Sequence, residues 1–365
     1  MDVHKRIVIK IGSSSLTNPD GQMNEFCMPA LVKAIAELYR NGWQPILVTS
    51  GAVAAGLGHL GWNRASLTMP ERQAAAAVGQ GLLMEKYNEL FLTSGIKVGQ
   101  ILVTKEDLAD RRRYINVRNT LNALLCNLVL PIVNENDTVA FAEIRFGDND
   151  TLSALVAGLV EAELLIILTD IDGLYSSDPR KDPSAKLIPV VQQVDEKIEK
   201  VAGGSGSPVG TGGMRTKLAA ARIAARSGIR TVVTSGAKPE TIVPIAAGEK
   251  MGTSFEPSAD CLRSRKQWIA FGSIPRGTVT VDQGAAKALM AGNKSLLAVG
   301  VIDVTGNFAA GNVVAVVDST GTELAKGISS LSAEDLRLVI KNPEHGLEVI
   351  NRDWLVCERS FSTCP

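Results

Sequence analysis

The sequence has 365 residues, 45% of them hydrophobic and 21% charged, an ordinary globular mix with room for two domains. Lys+Arg and Asp+Glu are both 38, which excludes a global attraction to nucleic acid or an anionic membrane. Five cysteines without a CxxC pair, and only three histidines (His4, His59 and His345) far apart, argue against zinc sites and His-based triads. No apolar run reaches transmembrane length, and MDVHKRIVIK enters a strand with no signal-peptide core. The expected setting is a cytoplasm with reduced thiols.

Residues 6–12, RIVIKIG, predict a strand that ends in Gly12 and the hydroxyls of Ser13, Ser14 and Ser15. Backbone N–H groups at such an end can meet phosphate. Lys10, inside this run, reads on its own as a solvated strand lysine. Leu31, Ile35 and Leu38 give residues 29–41 helical spacing, closed by Asn41-Gly42. Residues 45–49 predict the second strand, and Ser50-Gly51-Ala52 follows at its carboxyl end. These small residues allow close approach of a ligand, or simply make a strand-to-helix turn. A long helix is expected over 71–93, a third strand over 98–104, and one helical stretch over 107–128. The basic patch Arg111-Arg112-Arg113 reads as a solvated face or an oligomer contact.

The next strand, 128–133, turns polar within one residue, at Asn134, Glu135, Asn136 and Asp137. An alternating run, 138–146, reads as a strand or hairpin. It closes on Gly147-Asp148-Asn149-Asp150, before an apolar helix over 151–161. Such crowding of carboxylates and amides suits a small ligand that carries an ammonium and a carboxylate. Asp accepts from the ammonium; Asn side chains and backbone N–H groups donate to the carboxylate. The other reading is a polar surface loop with Asx turns and an N-cap. Residues 164–169 predict a buried strand that runs into Thr169-Asp170. Strands alternating with helices indicate an α/β layered fold with a mainly parallel sheet. Ligands in such sheets lie beyond the carboxyl ends of the strands. Residues 10–15, 50–52, 134–137 and 169–170 all fall at such ends.

Residues 203–217, GGSGSPVGTGGMRTK, fit neither GxxxxGK[ST] nor GxGxxG, so a P-loop ATPase and a Rossmann dehydrogenase are unsupported. What remains is a glycine-rich loop with Lys217 at the start of a helix over 218–227, an anion-favouring place, or else a linker with a solvated lysine. A strand over 230–234, a short helix over 242–248 and a last strand within 251–258 follow. Beyond 263 the character changes. A strand over 277–282, a helix over 285–291 and β patterns over 299–305, 313–318 and 323–328 indicate a small, mainly β module. The expected division is 1–258, a linker over 259–274, the β module over 275–353 and a tail over 354–365.

The segments IVIKIGSSSL, TSGAVAAG, LPIVNENDTVAFAEIRFGDND, LTDIDGLY and GTGGMRTK resemble the amino-acid kinase family, and within it the glutamate 5-kinases. VDQGA, SLLAVGV and VTGNFAAGNVV resemble the PUA domain appended to bacterial members. The likeness runs from Lys5 to about Asp353, and the tail matches nothing. Arg145 stands where many members carry Lys, a charge-preserving change. The resemblance implies a mainly parallel central sheet sandwiched by helices, plus the small PUA-like domain. It implies ATP-dependent phosphorylation of the side-chain carboxylate of L-glutamate, the first step of proline synthesis, under feedback inhibition by proline. It implies Lys10 and Lys217 as catalytic cations oriented by Asp150. Ser50, Gly51, Asn134, Asp137, Asp148 and Asn149 would bind glutamate. Lys10, Thr169, Asp170, Thr211, Gly212, Gly213, Met214, Arg215, Thr216 and Lys217 would bind ATP. Mg2+ would ride with ATP, with no direct protein ligand named, and Glu135 receives no role. A homotetramer and hand-over of product to glutamate-5-semialdehyde dehydrogenase are further implications. RNA binding by the β module is not expected, because acidic residues outnumber basic ones across 275–353. Aspartate, acetylglutamate, carbamate or a nucleotide stand as alternative acceptors. The NENDTVAFAEIRFGDND cluster favours an amino acid with a free ammonium.

Overall fold

Every second residue of a strand faces the same side, and β1 (Lys5–Ile11) shows what that does here. Ile7, Ile9 and Ile11 enter one apolar core, Val8 the other, and all four are wholly buried. Burying one such side chain stabilises by about 1.5–3 kcal/mol. Lys10 falls on the face of Val8. The computed structural model describes residues 5–18, 23–63, 67–140, 149–202, 213–258, 264–292, 294–341 and 346–357. The chain divides into two units, Met1–Cys261 and Leu262–Pro365.

In the first unit β1 is followed by α1 (Ser13–Leu16), α2 (Cys27–Arg40), β2 (Trp43–Val48), α3 (Ala52–Leu60) and α4 (Met69–Leu92). Then come β3 (Lys97–Val103), α5 (Lys105–Ala109), α6 (Arg111–Cys126), β4 (Val129–Glu135), α7 (Asn149–Leu159) and β5 (Leu164–Thr169). The unit continues with β6 (Val190–Val191), α8 (Glu196–Ala202), α9 (Met214–Arg226), β7 (Arg230–Ser235), α10 (Ile242–Ala246) and β8 (Thr253–Phe255). The eight-stranded sheet has the order β3-β4-β2-β1-β5-β7-β8-β6. Its pairs are parallel except β7 with β8. Helices α2, α4 and α10 cover the face of Ile7, Ile9 and Ile11; α6, α7 and α9 cover the face of Val8.

Register brings the strand ends level. Lys10 pairs with Val48 of β2 and Ile167 of β5, and Val48 pairs with Val133 of β4. Thr49 and Asn134, just beyond Val48 and Val133, therefore emerge on neighbouring strands, and Thr169 ends β5 on the other side of β1. Gly51 turns the chain from β2 into α3 at φ +97°, a conformation that glycine adopts without steric cost. Helix α3 then packs on α4 through glycines. A Cβ on Gly56 would lie 1.8 Å from Ala75 O, and one on Gly79 would lie 1.8 Å from Ala52 O.

Two sequence expectations change. The single helix over 107–128 is two helices, because the Asp110 carboxylate accepts from the N–H groups of Arg112 and Arg113, each at 3.0 Å. That is N-cap geometry, so the residue begins a new helix instead of continuing the old one. The strand or hairpin over 138–146 does not begin at its first residues. Val139 and Ala140 bond back to Asn136 O at 3.2 and 3.1 Å, which makes a turn; residues 141–148 lie outside the described residues.

The second unit contains α11 (Ser264–Gln267), β9 (Gly277–Val281), α12 (Gln283–Met290), β10 (Leu296–Leu297), β11 (Val301–Gly306) and β12 (Val313–Val317). It ends with β13 (Glu323–Ile328), α13 (Ala333–Lys341), β14 (Glu348–Ile350) and β15 (Leu355–Cys357). A five-stranded sheet, β11-β9-β12-β13-β15, and the pair β10-β14 enclose a core that includes Val279, Val281, Val314, Val316 and Leu336. Among the described residues no helix is long and apolar enough to cross a membrane.

Candidate active site

Asp150 is the second residue of α7 and is wholly buried. Each of its carboxylate oxygens meets a different lysine. Lys10 Nζ, from β1, lies 2.6 Å from Oδ1; Lys217 Nζ, from the first turn of α9, lies 3.1 Å from Oδ2. Thr216 Oγ1 also donates to Oδ2 at 2.9 Å. Both lysines are buried, at 4% and 5% exposure. Two buried ammonium groups thus converge on one carboxylate. The amino-terminal end of α9, capped by Gly213, adds N–H donors and a positive dipole end to the same place. The arrangement fits a polyanion such as a triphosphate.

A cavity beside this cluster is lined by Thr169, Asp170, Leu174, Tyr175, Met214 and Lys217 among others. Arg180 Nη2 donates to Asp170 Oδ2 at 2.7 Å, and Thr169 Oγ1 donates to Oδ1 at 3.1 Å. Partial burial pushes the Asp170 carboxyl up. The bonds from Arg180 and Thr169, with the Arg180 charge, outweigh burial and hold it below the usual carboxylate range. Arg215 is exposed and Met214 is buried. Thr211 and Gly212 lie outside the described residues.

The second group sits one residue away in sequence. Asn149 precedes Asp150, and successive helical residues diverge by about 100°. Asn149 Nδ2 therefore turns to the ends of β2 and β4. It lies 2.5 Å from Thr49 O, 2.9 Å from Ser50 Oγ and 2.9 Å from Asn134 Oδ1. Asn134 Oδ1 also accepts from the backbone N–H of Glu135 at 2.9 Å, and Asn134 Nδ2 donates to Gln80 Oε1 at 2.8 Å. Asn149 Nδ2 thus faces three acceptors within the protein, and Asn134 Nδ2 gives one of its two hydrogens to Gln80. Ser50 Oγ accepts from Asn149 Nδ2 at 2.9 Å, which leaves the Ser50 hydroxyl hydrogen able to donate. Gly51 adjoins Ser50 at the start of α3. Asp137 opens the turn after β4 and is partly buried. Glu135 is buried at the end of β4. Asp148 lies outside the described residues.

Four residues in this network carried no signal in the sequence. Gln80 and Tyr87 are ordinary-looking positions of a long helix. Tyr87 is wholly buried, and its hydroxyl pairs with Thr49 Oγ1 at 2.9 Å. Thr49 reads only as the end of a strand. Arg180 follows a proline in a stretch without periodicity, and its tie to Asp170 is visible only in three dimensions.

The model of the amino acid kinase family matches residues 5–235, and that of the PUA domain matches residues 277–350. A glutamate 5-kinase from Caldanaerobacter subterraneus subsp. tengcongensis is 47% identical over 361 residues, covering 96% of this chain and 97% of its own. One from Geobacter sulfurreducens is 48% identical over 362 residues, with coverage of 96% and 97%. One from Synechococcus elongatus is 49% identical over 334 residues, 91% of each chain. Among solved structures, the carbamate kinase from Giardia lamblia bound to AMP-PNP superposes with a TM-score of 0.53 at 18% identity, over 71% of this chain and 100% of that one. That last likeness is one of fold.

Proposed function

The chain belongs to the amino acid kinase family, in the glutamate 5-kinase branch that carries a PUA domain, and from that premise we propose how it works. It transfers the terminal phosphoryl group of ATP to the side-chain carboxylate of L-glutamate, giving ADP and L-glutamyl 5-phosphate. The observation that carries the reading is the meeting of Lys10 and Lys217 on Asp150, at 2.6 and 3.1 Å.

The nucleophile needs no base. A glutamate carboxyl titrates near ~4.3 and is ionised at neutral pH. The obstacle is repulsion between two anions. At ~4 Å and an effective dielectric of about 20, each pair of unit charges costs about 4 kcal/mol. Lys10 and Lys217 offset this, most strongly where charge spreads over the group in transfer. Asp150 fixes the direction of both ammonium groups, so the protein does not reorganise as that charge develops. The α9 end, Thr169, Asp170 and residues 211–217 hold the nucleotide. Magnesium, when bound with ATP, would supply charge neutralisation at the phosphates; both Asp150 oxygens meet lysines.

On the acceptor side, Asp137 takes the substrate ammonium. The Ser50 hydroxyl and nearby N–H groups take the α-carboxylate, with Asn134 and Asn149 framing them. Asn149 and Asp150, adjacent in the chain, join acceptor grip to phosphoryl grip. The product is an acyl phosphate that water destroys, which suits a downstream reductase that consumes it at once. We place the reaction at the head of proline synthesis in the cytoplasm, with proline competing for the acceptor site. Proline keeps the ammonium and α-carboxylate but lacks the reacting group. A homotetramer is the assembly that the family resemblance favours.

The test supplies ATP and Mg2+ with a panel of amino acids and hydroxylamine, and reads the hydroxamate. Glutamate should stand far above aspartate. Equal colour with aspartate, or none with glutamate, would overturn the reading.

A further inference from the structure

Gln80 lies on α4, outside every motif of the sequence, yet it is only 8% exposed. Its Oε1 accepts from Asn134 Nδ2 at 2.8 Å. Its Nε2 is buried and has no hydrogen-bond partner among the described residues. A buried donor left unmet is destabilising, so stability alone does not select glutamine at this position.

The polarity of the contact is fixed from the other end. A backbone N–H can only donate. The Glu135 N–H donates to Asn134 Oδ1 at 2.9 Å, so Oδ1 is the acceptor and Nδ2 is the hydrogen-bearing atom that Gln80 receives. The same Oδ1 receives Asn149 Nδ2 at 2.9 Å, and Asn149 reaches Ser50 Oγ at 2.9 Å. Without Gln80 nothing described here anchors Asn134 Nδ2. The helix that carries Gln80 is itself held. Gly79, its neighbour, touches the α3 backbone so closely that a Cβ would lie 1.8 Å from Ala52 O. Two turns further along α4, Tyr87 bonds Thr49 Oγ1 at 2.9 Å.

We infer that Gln80 is a positioning residue for the acceptor: it orients the Asn134 amide, and through it Asn149 and Ser50, to receive the amino acid. The inference deepens the kinase reading above and rests on it. Gln80 does not act on the phosphoryl side, where Lys10, Lys217 and Asp150 form a separate cluster.

The test uses the full chain with Gln80→Met, which keeps length and removes both polar atoms. Steady-state hydroxamate kinetics give the KM of acceptor and of ATP separately, and a thermal melt reports stability. The acceptor KM should rise about tenfold while the ATP KM and kcat stay within about twofold. The melt should shift little, since one unmet donor replaces another. In a cycle with Asn134→Ala, the double variant should match Asn134→Ala alone, because both changes break one chain of bonds. Gln80→Glu keeps the accepting oxygen and covers the event that the Met variant does not fold; its acceptor KM should stay within about threefold of wild type. An unchanged acceptor KM in Gln80→Met, an equal rise in ATP KM, additive effects in the cycle, or a larger loss in Gln80→Glu than in Asn134→Ala overturns the inference. The acceptor is whichever amino acid the wild type turns over fastest. Failure of glutamate in that role overturns the functional reading and still leaves the comparison for Gln80 readable.

Discussion

Thr216 donates its hydroxyl to Asp150 Oδ2 at 2.9 Å, on the oxygen that Lys217 also holds at 3.1 Å. The hydroxyl lies 2.8 Å from Gly213 O as well, and one hydrogen serves one of the two at a time. A hydrogen bond to a charged group is worth about 1.5–3 kcal/mol. If it holds the carboxylate in line for both lysines, Thr216→Val should lower kcat about tenfold or more. The KM for glutamate should not move, and Thr216→Ser should restore the rate. Steady-state kinetics decide it; a Val variant with the wild-type kcat removes Thr216 from the machinery.

The two lysines should behave alike. If both cations stabilise the developing charge as proposed, Lys10→Ala and Lys217→Ala should each lower kcat about 100- to 1000-fold. A change confined to the KM for ATP at both positions would mean that they bind ground state and transition state equally. Rapid-quench single turnovers separate the chemical step from product release in each variant.

Asp137→Asn keeps shape and removes the charge proposed to meet the substrate ammonium. The KM for glutamate should rise at least tenfold, with the KM for ATP near wild type, since a charge-assisted bond becomes a neutral one. Isothermal titration of glutamate with a non-hydrolysable ATP analogue gives the same quantity without turnover. An unaltered glutamate affinity refutes this assignment.

The strand ends that build the site were legible because buried parallel strands are near-continuous apolar runs. RIVIKIG and LLIILTD each announce where polarity begins. What was hidden follows from different physics. Helix α3 is AVAAGLGHL, too small and apolar to show a helical stripe, and its Gly56 serves the contact with α4. The break at Asp110 was masked because arginines continue the helical pattern on its far side, while one carboxylate accepting two N–H groups starts a new helix. Gln80 and Tyr87 belong to the site through a helix packed against strand ends, a relation that no local spacing encodes. The pairing of Lys10 with Lys217 was implied by family motifs. Taken alone, each reads as a solvated lysine.

The seam between α3 and α4 separates two effects that usually oppose each other. Replacing a helical glycine by alanine favours the helix by about 0.5–1 kcal/mol. At Gly79 the added Cβ would lie 1.8 Å from Ala52 O, and overpacking typically costs about 1–3 kcal/mol or more. Gly79→Ala should therefore destabilise, whereas Gly81→Ala, with nothing within 4 Å of its Cβ, should stabilise. Chemical denaturation of the two variants should give shifts of opposite sign. The Gly79 variant should also weaken glutamate binding, because the seam holds the start of α3 and Gln80 together.

The Asp170–Arg180 pair gives a pH signature at the cavity proposed for the nucleotide. Burial raises the Asp170 carboxyl, but the 2.7 Å bond from Arg180, the bond from Thr169 and the guanidinium charge lower it further, leaving it below its ordinary range. A group whose folded pKa is depressed is stabilising above its unfolded pKa, about 3.9 for Asp. That contribution fades as pH falls from about 4 through the lower folded value. In Arg180→Ala the lowering causes shrink and burial remains, so the carboxyl should titrate higher than in the wild type. Carbon-detected NMR of the Asp170 carboxyl reads this directly. The pair is about half exposed, at 54% and 49%, so the effect on global stability should be small and weaken further with salt. The functional consequence should be larger. Freed Asp170 would leave a negative charge without its guanidinium partner on the wall proposed to meet the nucleotide, and the KM for ATP at neutral pH should rise. A KM for ATP in Arg180→Ala equal to the wild-type value would separate the pair from nucleotide binding.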